Sequence, residues 1–179
     1  MKTYAGIGSR ETPSETLSEM ALFASYAVTA SMVLRSGAAP GADEAFENGC
    51  NSPNVGEKEI FLPWKNFNKH PSTLFEIHPS AFTLAEGIHP HFKYMKRPSK
   101  LLIARNMHQV LGKNLNTPVE FVICWTKDGC ESHETYTPSK TGGTGSAIAL
   151  ASKVGIPVYN LFNPDRLVAA MEHLSRLTI

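Results

Sequence analysis

Three glycine-rich segments of this sequence have the composition of phosphate-binding turns: residues 6–13 (GIGSRETP), 36–44 (SGAAPGADE) and 141–146 (TGGTGS). Each stands between a predicted strand and a predicted helix. Glycine lets the backbone turn tightly and approach a ligand closely. The first turn of the helix behind it offers unpaired N–H groups and a partial positive charge. This combination is typical of sites that bind a phosphate group.

The three segments do not complete either of the standard nucleotide-binding motifs. The first gives Gly6-x-Gly8-x-x-Glu11 and lacks the third glycine of the dinucleotide fingerprint, and the third segment lacks the lysine of a P-loop. A tight turn also needs glycine for structural reasons alone, which is the alternative interpretation of any one segment. One ligand can contact all three if they converge at one edge of a sheet, and we predict that they do.

Side chains must add to the affinity of such a site. One helix terminus contributes up to about 2 kcal/mol in good geometry, whereas a micromolar ligand needs about 8 kcal/mol. Ser9, Arg10 and Arg105 are placed to supply the difference. We expect Arg105 to make a charge-assisted contact with a ligand phosphate. On this basis, Arg105→Gln leaves the melting temperature of the ligand-free protein almost unchanged.

The segment at residues 141–146 is predicted to carry the phosphate. Its helix begins directly behind the glycines, so the backbone N–H groups of Thr144, Gly145 and Ser146 are expected to face the ligand. A side chain at Gly143 or Gly145 would intrude on that approach or be barred by a positive φ. Gly143→Ala is therefore expected to lower both stability and binding.

Strand and helix patterns alternate along the chain. Short apolar runs typical of buried strands occupy residues 3–8, 31–37, 58–64, 119–125 and the end of 141–161. Helical patterns follow them at residues 12–28, 41–49, 81–87, 98–112, behind 141–146 and at 164–177. Thr12 is predicted to cap the first helix, with Pro13 in its first turn and Glu15 completing a capping box.

This alternation predicts an α/β fold: a doubly wound, mostly parallel, Rossmann-like sheet of about five strands with helices on both faces. The 179 residues are the size of one domain. Residues 1–179 are thus predicted to form a single Rossmann-like nucleotide-binding domain, with an inserted loop region at about residues 65–97. Ligands of such sheets bind beyond the carboxyl ends of the strands, where the strand order reverses.

The inserted region is rich in histidine, proline and phenylalanine. Its four histidines fit no standard zinc spacing, and no metal site is predicted. Its aromatic side chains either stack on a base or form a small core beneath the loop, which is the interpretation that we favour. These aromatic residues are Phe75, Phe82, Phe92 and Tyr94.

Charge and composition limit the class of protein. The net charge of +1 provides no overall field that recruits nucleic acid. Residues 87–119, however, carry six Lys and Arg residues and no Asp or Glu, which suits an anionic partner or a solvated helix face. No apolar run has the length of a membrane span, the start does not resemble a signal peptide, and the three cysteines lack a CxxC spacing. We expect a cytoplasmic homo-oligomer without membrane attachment.

The motifs resemble those of the Rossmann-like superfamily, often called SLOG, that groups the DNA-processing protein DprA (Smf) with the Lonely Guy phosphoribohydrolases. Residues 4–10 (YAGIGSR) resemble the first strand and turn of the DprA type, and residues 35–49 (RSGAAPGADEAFENG) resemble its SGxAxGxDxxAH segment. Residues 104–112 (ARNMHQVLG) resemble its RNRxIxxL helix, and residues 143–161 its SGSxxTAxxAxxxGRxVxAVPG segment. The compact chain resembles in particular the small DprA-like proteins of the phage type.

The resemblance implies which residues contact a ligand. The SGxAxGxDxxAH segment is carried here by Gly37, Ala38, Gly41 and Asp43 among others, and the RNRxIxxL helix retains an arginine and an asparagine. Together with the three turns, the resemblance predicts a ligand-binding set of Gly8, Ser9, Arg10, Gly37, Ala38, Gly41, Asp43, Arg105, Asn106, Gly142, Gly143, Thr144, Gly145 and Ser146.

The sequence departs from the Lonely Guy motif PGGxGTxxE, whose glutamate belongs to the catalytic machinery. Residues 141–149 read TGGTGSAIA, so Ala149 stands at the glutamate position and Ser146 at the threonine position. This argues against phosphoribohydrolysis by that mechanism. If the protein is a hydrolase, Asp43 and Glu44 are the predicted catalytic carboxylates. Alternatively, they only complement the dipole of the helix that they begin.

Three functions follow from these observations. We favour a module that binds a nucleotide or nucleotide-derived ligand without a cofactor and without transforming it, as a protein that senses or sequesters a signal does. Ala149 supports this choice. The first alternative is an N-glycosidase that cleaves a nucleotide. The second is DprA-like binding of single-stranded DNA, through Lys93, Lys96, Arg97, Lys100, Arg105 and Lys113.

Overall fold

Five parallel strands form one sheet in the computed structural model, which describes residues 1–52 and 55–178. They are β1 (Thr3–Gly6), β2 (Val33–Ser36), β3 (Lys58–Ile60), β4 (Val122–Cys124) and β5 (Val158–Asn160). Their order across the sheet is β3-β2-β1-β4-β5, and Ala5 of β1 pairs with Arg35 on one side and Val122 on the other. The strand order therefore reverses between β1 and β4.

Helices cover both faces of this sheet. They are α1 (Ser14–Thr29), α2 (Ala42–Cys50), α3 (Pro79–Ile88), α4 (Arg97–Leu111), α5 (Pro138–Thr141), α6 (Gly145–Lys153) and α7 (Arg166–Leu177). One hydrophobic core joins α1, α2 and α7 to the sheet, and a second core joins α3, α4 and α6 to the opposite face. The predicted doubly wound, Rossmann-like α/β fold is confirmed.

Residues 4–6 of β1 and all of β4 are apolar, because both faces of these strands are buried. Along β1, Tyr4 belongs to the first core and Ala5 to the second; along β4, Ile123 belongs to the first core and Val122 to the second. Side chains of a strand alternate between its two faces. A strand between two cores therefore favours a continuous apolar run, which makes β1 and β4 recognisable in the sequence.

The predicted cap of the first helix is wrong. α1 begins at Ser14, with Pro13 at the N-cap position and no side-chain cap. The Thr12 hydroxyl instead donates to the carbonyl oxygen of Ser9 at 2.7 Å, and the N–H of Glu11 donates to the Ser9 hydroxyl oxygen at 3.0 Å. Thr12 therefore closes the turn between β1 and α1, because its hydroxyl reaches a carbonyl within that turn.

The inserted region at residues 65–97 contains more regular structure than the sequence indicates. It holds the ten residues of α3. It also holds two short 3-10 segments, Phe67–Lys69 and Phe92–Tyr94. Phe75, Phe82 and Phe92 pack in or against the two cores, whereas Tyr94 is exposed. Their interpretation as core residues is therefore confirmed for all but Tyr94.

None of the helices in residues 1–52 and 55–178 combines the length and the apolar character that a membrane span requires. Cys50, Cys124 and Cys130 are buried free thiols. Cys50 belongs to the first core and the other two to the second, where they pack as small apolar side chains.

Candidate functional site

A cavity of about 510 Å³ opens at the carboxyl ends of the strands, where the strand order reverses between β1 and β4. Each glycine-rich turn lines it, with Ser9 from the first, Pro40 from the second and Gly143 from the third. α4 provides the wall that carries Arg105. The structure thus brings the three turns to one site, at the position where open α/β sheets bind their ligands.

The predicted site residues divide into two groups. Those that line the cavity are Gly8, Ser9, Arg10, Asp43, Arg105, Asn106, Gly142, Gly143 and Thr144. Those that lie outside its lining are Gly37, Ala38, Gly41, Gly145 and Ser146. Of the two predicted catalytic carboxylates, Asp43 lines the cavity, while Glu44 is exposed and lines a neighbouring depression of about 360 Å³.

Two glycines of the second turn serve the packing of the chain. Gly41 has a φ of 87°, in the left-handed region that favours glycine, and it packs against the backbone of Ser9 and Arg10. Gly37 lies against the guanidinium of Arg105, so that a side chain at this position would overlap it. These glycines let the second turn approach both the first turn and α4.

Asp43 places a buried carboxyl group between the first two turns. It is 3 % exposed, and its Oδ2 accepts a hydrogen bond from the N–H of Ala39 at 3.3 Å. Burial raises the pKa of Asp43 to about 6, although the Arg105 guanidinium and the N–H groups of Ala39, Gly8 and Gly37 lower it. The N–H of Ala39 therefore serves this internal carboxylate, and a bound ligand does not need to satisfy it.

Arg105 is buried beside Asp43 and is bonded to the protein itself. Its Nη1 donates to the carbonyl oxygens of Gly37 and Phe61, the second at 2.9 Å, and its Nε donates to Oδ1 of Asn106 at 3.1 Å. Burial lowers the pKa of Arg105, while the Asp43 carboxylate raises it. Arg105 therefore has a structural role that the sequence does not indicate, and its contact with a ligand phosphate stays a prediction. Its removal leaves buried carbonyl oxygens without donors, so Arg105→Gln is expected to lower the melting temperature.

Among the described residues, the third turn has backbone N–H groups without hydrogen-bond partners at the N-terminus of α6. Within the described parts of the chain, the N–H groups of Gly143, Thr144 and Ser146 donate to no other residue. The N–H of Gly145 is taken, because it donates to the carbonyl oxygen of Gly142 at 3.1 Å. Gly143 and Thr144 line the cavity, so their two donors are the ones that a ligand can reach.

The side chain of Asn106 in α4 holds the third turn through hydrogen bonds. Its Nδ2 donates to the carbonyl oxygen of Gly143 at 2.8 Å and to the hydroxyl oxygen of Ser146 at 3.0 Å. The Ser146 hydroxyl in turn donates to the same Gly143 carbonyl at 3.2 Å. Ser146 is fully buried, so the structure assigns it to the support of the turn, whereas Asn106 also lines the cavity.

The glycines of the third turn differ from the sequence-based expectation. Gly142 has a positive φ of 79°, whereas Gly143 and Gly145 do not. A Cβ at Gly143 would meet nothing within 4 Å, and one at Gly145 would overlap the ring of Tyr136. Gly143→Ala is therefore expected to leave the stability unchanged. If Gly143→Ala weakens binding, the cause is therefore that the added methyl group obstructs the approach of the ligand to the turn.

Positive charge dominates the lining of the cavity. Its cations are Arg10, Arg105, Lys127 and Lys140, and its acids are Glu11 and Asp43. Lys127 and Lys140 are not among the site residues predicted from the sequence. Lys127 follows the end of β4 by three residues, and Lys140 directly precedes the third turn. The rule that ligands bind beyond the carboxyl ends of the strands would have indicated both lysines.

The aromatic residue of the cavity wall is Phe67, which lies in the inserted region. The Arg105 guanidinium carbon lies 5.8 Å from the centre of its ring, and the Trp64 ring packs against it edge to face at 5.2 Å. The neighbouring Asn68 donates from its side-chain amide to the Ala38 carbonyl oxygen at 2.9 Å. The insertion is thereby tied to the second turn, and the aromatic residues considered from the sequence lie outside the lining.

Histidines of the inserted region bond to nearby protein groups. His70 Nε2 lies 3.0 Å from Oε1 of Glu47, and Nδ1 of His78 accepts from the N–H of Ser80 at 3.2 Å. In the part of the chain that the structure describes, no group of three or more His, Cys, Asp or Glu side chains is placed to hold a metal ion.

The basic segment at residues 87–119 does not form a single surface. Arg105 is buried, and Lys113 lies beyond the far end of α4, about 20 Å along the helix from its start. The remaining cations lie near the start of α4 and are Lys93, Lys96, Arg97 and Lys100. We call these four residues the α4-start cluster.

Comparison of the chain with protein families, with curated proteins and with solved structures finds no match. The resemblance to the SLOG superfamily, which rests on the motifs of the sequence, therefore stays a prediction.

Proposed function

We propose that the protein binds a nucleotide or nucleotide-derived ligand in the cavity, with a phosphate against the third turn. One observation carries the proposal: Gly143 and Thr144 line the cavity, and their N–H groups have no partner among the described residues. A phosphate at the head of the nine-residue α6 would accept both hydrogen bonds and meet the positive end of the helix dipole. Asp43 already accepts the hydrogen bond of the Ala39 N–H in the second turn.

The charges around the cavity favour an anion. Four cations stand against two acids in its lining. Lys127 and Lys140 are exposed side chains, so each can reach a bound phosphate without any rearrangement of the core. Charge-assisted hydrogen bonds from lysine to phosphate are stronger than those between neutral groups. The lysines therefore supply the affinity that one helix terminus does not provide.

The remaining walls suit a nucleoside. Asp43 offers a carboxylate that accepts hydrogen bonds from ribose hydroxyls. Phe67, Leu102 and Ile103 offer apolar surface to a base. The volume of about 510 Å³ lies within the range of sites that bind small molecules.

Calorimetric titration with the nucleoside 5′-monophosphates and the matching nucleosides tests the proposal. We expect a monophosphate to bind and its nucleoside to bind far more weakly. Gly143→Ala should weaken binding of the monophosphate by about 10- to 100-fold, because a methyl group there displaces the phosphate from its donors. Gly87→Ala is the matched control, since a Cβ at Gly87 also meets open space but lies in α3, outside the cavity lining.

Both glycine variants are expected to keep the melting temperature of the parent or to exceed it slightly. If none of the monophosphates binds the parent protein, the proposal fails. It also fails if Gly143→Ala binds a monophosphate as tightly as Gly87→Ala does.

A second candidate function is hydrolysis of the N-glycosidic bond of a nucleotide, in which water adds to the sugar carbon and the base leaves with a proton. The observation that favours it is the Asp43 carboxyl, which lines the cavity and whose pKa of about 6 suits proton transfer near neutral pH. Release of free base from monophosphates is the measurement. Asp43→Asn should abolish it, and Glu44→Gln, outside the cavity, should not. The reverse result would remove Asp43 from the reaction.

A further inference from the structure

A chain of side-chain hydrogen bonds connects the third turn to the sheet. Thr141, the last residue of α5, directly precedes the turn glycines and donates its hydroxyl to Oδ2 of Asp128 at 2.6 Å. Oδ1 of the same carboxylate accepts from the hydroxyl of Thr126 at 2.8 Å and from the N–H of Cys130 at 3.3 Å. Asp128 thus joins the loop behind β4 to the residue from which the turn starts.

Asn160 anchors the other end of this chain. It is fully buried at the end of β5. Its Nδ2 donates to the hydroxyl oxygen of Thr126 at 2.6 Å and to the carbonyl oxygen of Cys130 at 2.8 Å, and its Oδ1 accepts from the N–H of Thr126 at 3.2 Å. Every link pairs a donor with an acceptor. The chain therefore runs without interruption from the ends of β4 and β5 to the third turn.

The third turn depends on such an anchor because it has little stiffness of its own. A Cβ at Gly142 or Gly143 would meet nothing within 4 Å, and ordering a glycine costs more conformational entropy than ordering any other residue. Thr141, by contrast, is 4 % exposed, and its hydroxyl oxygen also accepts from the N–H of Thr137 at 3.2 Å. The position of Thr141 therefore determines where the glycines behind it lie.

Asp128 acts on a second part of the site through the backbone. Lys127 lies between Thr126 and Asp128, whose side chains bond to each other. This bond closes the backbone around Lys127, a residue that lines the cavity. One carboxylate thus holds two of the groups that the proposed ligand would contact.

We propose that Asp128 is a positioning residue of the ligand site: it holds Thr141 and Lys127 so that the third turn presents the N–H groups of Gly143 and Thr144 to a phosphate. Asp128 itself lies outside the cavity lining. The identity of the ligand rests on the proposed function, but the position of the turn is a property of the ligand-free protein.

The anchoring carboxylate keeps its charge near neutral pH. Asp128 is an exposed residue. Its slight burial raises the pKa, but the hydrogen bonds from Thr141, Thr126 and Cys130 outweigh this effect and lower the pKa below its ordinary value of 3.8. Asp128 therefore accepts all three bonds at neutral and mildly acidic pH.

Hydrogen exchange of the ligand-free protein tests the position of the turn directly. Asp128→Ala and Thr141→Val should speed exchange of the hydrogen-bonded amides around the turn at least tenfold, and leave the amides of β1 and β4 unchanged. The amides to follow are those of Thr141, Gly142, Gly145 and Ala147. Glu134→Ala is the matched control, because Glu134 is an exposed carboxylate of the same loop that pairs with His133.

Affinity for AMP and for inorganic phosphate measures the consequence for binding. Asp128→Ala should weaken each by about tenfold, the equivalent of one lost hydrogen bond. Adding Thr141→Val should weaken them no further, because the two residues act through the same bond. Asp128→Asn keeps an acceptor for Thr126 and offers an amide donor to the Thr141 oxygen, so it should recover most of the lost affinity. Glu134→Ala should bind as the parent does.

Several results would overturn the positioning role. It fails if Asp128→Ala leaves the turn amides at the parent exchange rate, whether or not the parent binds AMP. It also fails if the turn amides of Asp128→Ala exchange faster than those of the parent while the variant binds AMP with the affinity of the parent. It also fails if the losses of affinity caused by Asp128→Ala and Thr141→Val add in the double variant. Equal losses of affinity in Asp128→Asn and Asp128→Ala would overturn it as well. A parent that binds neither AMP nor phosphate contradicts the proposed function instead, and the exchange rates then support or overturn the positioning of the turn alone.

Discussion

The buried carboxylate of Asp43 accepts a hydrogen bond from a backbone N–H group that a ligand could otherwise use. Ala39 belongs to a turn whose composition predicts phosphate binding, yet its N–H donates to Asp43. The N–H groups of Gly8 and Gly37 also favour the charged form of Asp43 and lower its pKa. The carboxylate is a fixed internal anion, and the guanidinium of Arg105 lies close enough to favour its charge. A second anion beside Asp43 would be repelled. If a phosphate binds as proposed, Asp43 favours its position at the third turn.

Asp43→Asn is expected to change the stability of the ligand-free protein in a direction that depends on pH. The pKa of Asp43 is about 6 in the folded protein, against an ordinary value of 3.8. Above pH 6 both states carry the charge, and the folded state bears the cost of burying it. As the pH falls from about 6 to 3.8, only the folded state takes up a proton, so the parent gains stability. The variant, which carries no charge there, should exceed the parent by up to about 3 kcal/mol at neutral pH.

Urea unfolding of parent and variant at about pH 7.5 and about pH 4 measures this difference, which should shrink toward the lower pH. Subtracting the parent removes the contribution of every other titrating group. A variant that is less stable than the parent at pH 7.5 would contradict the argument. It would mean that Arg105 depends on the charge of Asp43 more than burial opposes that charge.

The glycine turns are predictable from the sequence, but the state of their donors is not. Local composition identifies Gly8 and Gly143, both of which line the cavity. Whether an N–H group is free depends on an acceptor from elsewhere in the fold. The Asp43 carboxylate accepts from the N–H of Ala39, and the carbonyl of Gly142 accepts from that of Gly145. The spacing of residues does not encode these pairings, because they form only when helices and strands pack together.

At the scale of elements, long helices are easier to place from the sequence than short strands. α4 runs from Arg97 to Leu111, close to the predicted 98–112, because fifteen residues leave a long periodic pattern. The predicted strand at 58–64 is longer than β3, which ends at Ile60. Beyond it, Phe61 bridges to Leu74 of the inserted region. An apolar run therefore marks where a strand lies but not where its pairing with the sheet ends.

One turn of α4 connects the two sides of the candidate site. Arg105 donates to the carbonyl oxygens of Gly37 and Phe61, behind β2 and β3, whereas the next residue, Asn106, donates to Gly143 of the third turn. Adjacent side chains of a helix point about 100° apart. The pair therefore spans the cavity from the second turn to the third. The sequence identifies both residues, although their observed partners are groups of the protein itself.

At the scale of the whole molecule, a net charge of +1 conceals two separate basic regions. One is the cavity, where Lys127 and Lys140 stand beside the third turn. The other is the α4-start cluster, whose cations lie outside the cavity lining. A small anion is recognised inside a cavity lined by cations and backbone donors, whereas a polyanion needs cations spread over a surface. Substitutions in these two regions can therefore distinguish nucleotide binding from DNA binding.

Charge removal in each region decides between these functions. Lys127→Ala combined with Lys140→Ala should weaken a monophosphate at least tenfold. It should also reduce the loss of affinity between about 50 and 500 mM salt, since screening acts on the charges removed. The matched control replaces the whole α4-start cluster, Lys93, Lys96, Arg97 and Lys100, by alanine and should keep the affinity, although it removes twice as many charges. The opposite pattern, with a single-stranded oligonucleotide bound through that cluster in a steeply salt-dependent way, would contradict nucleotide binding and favour DNA.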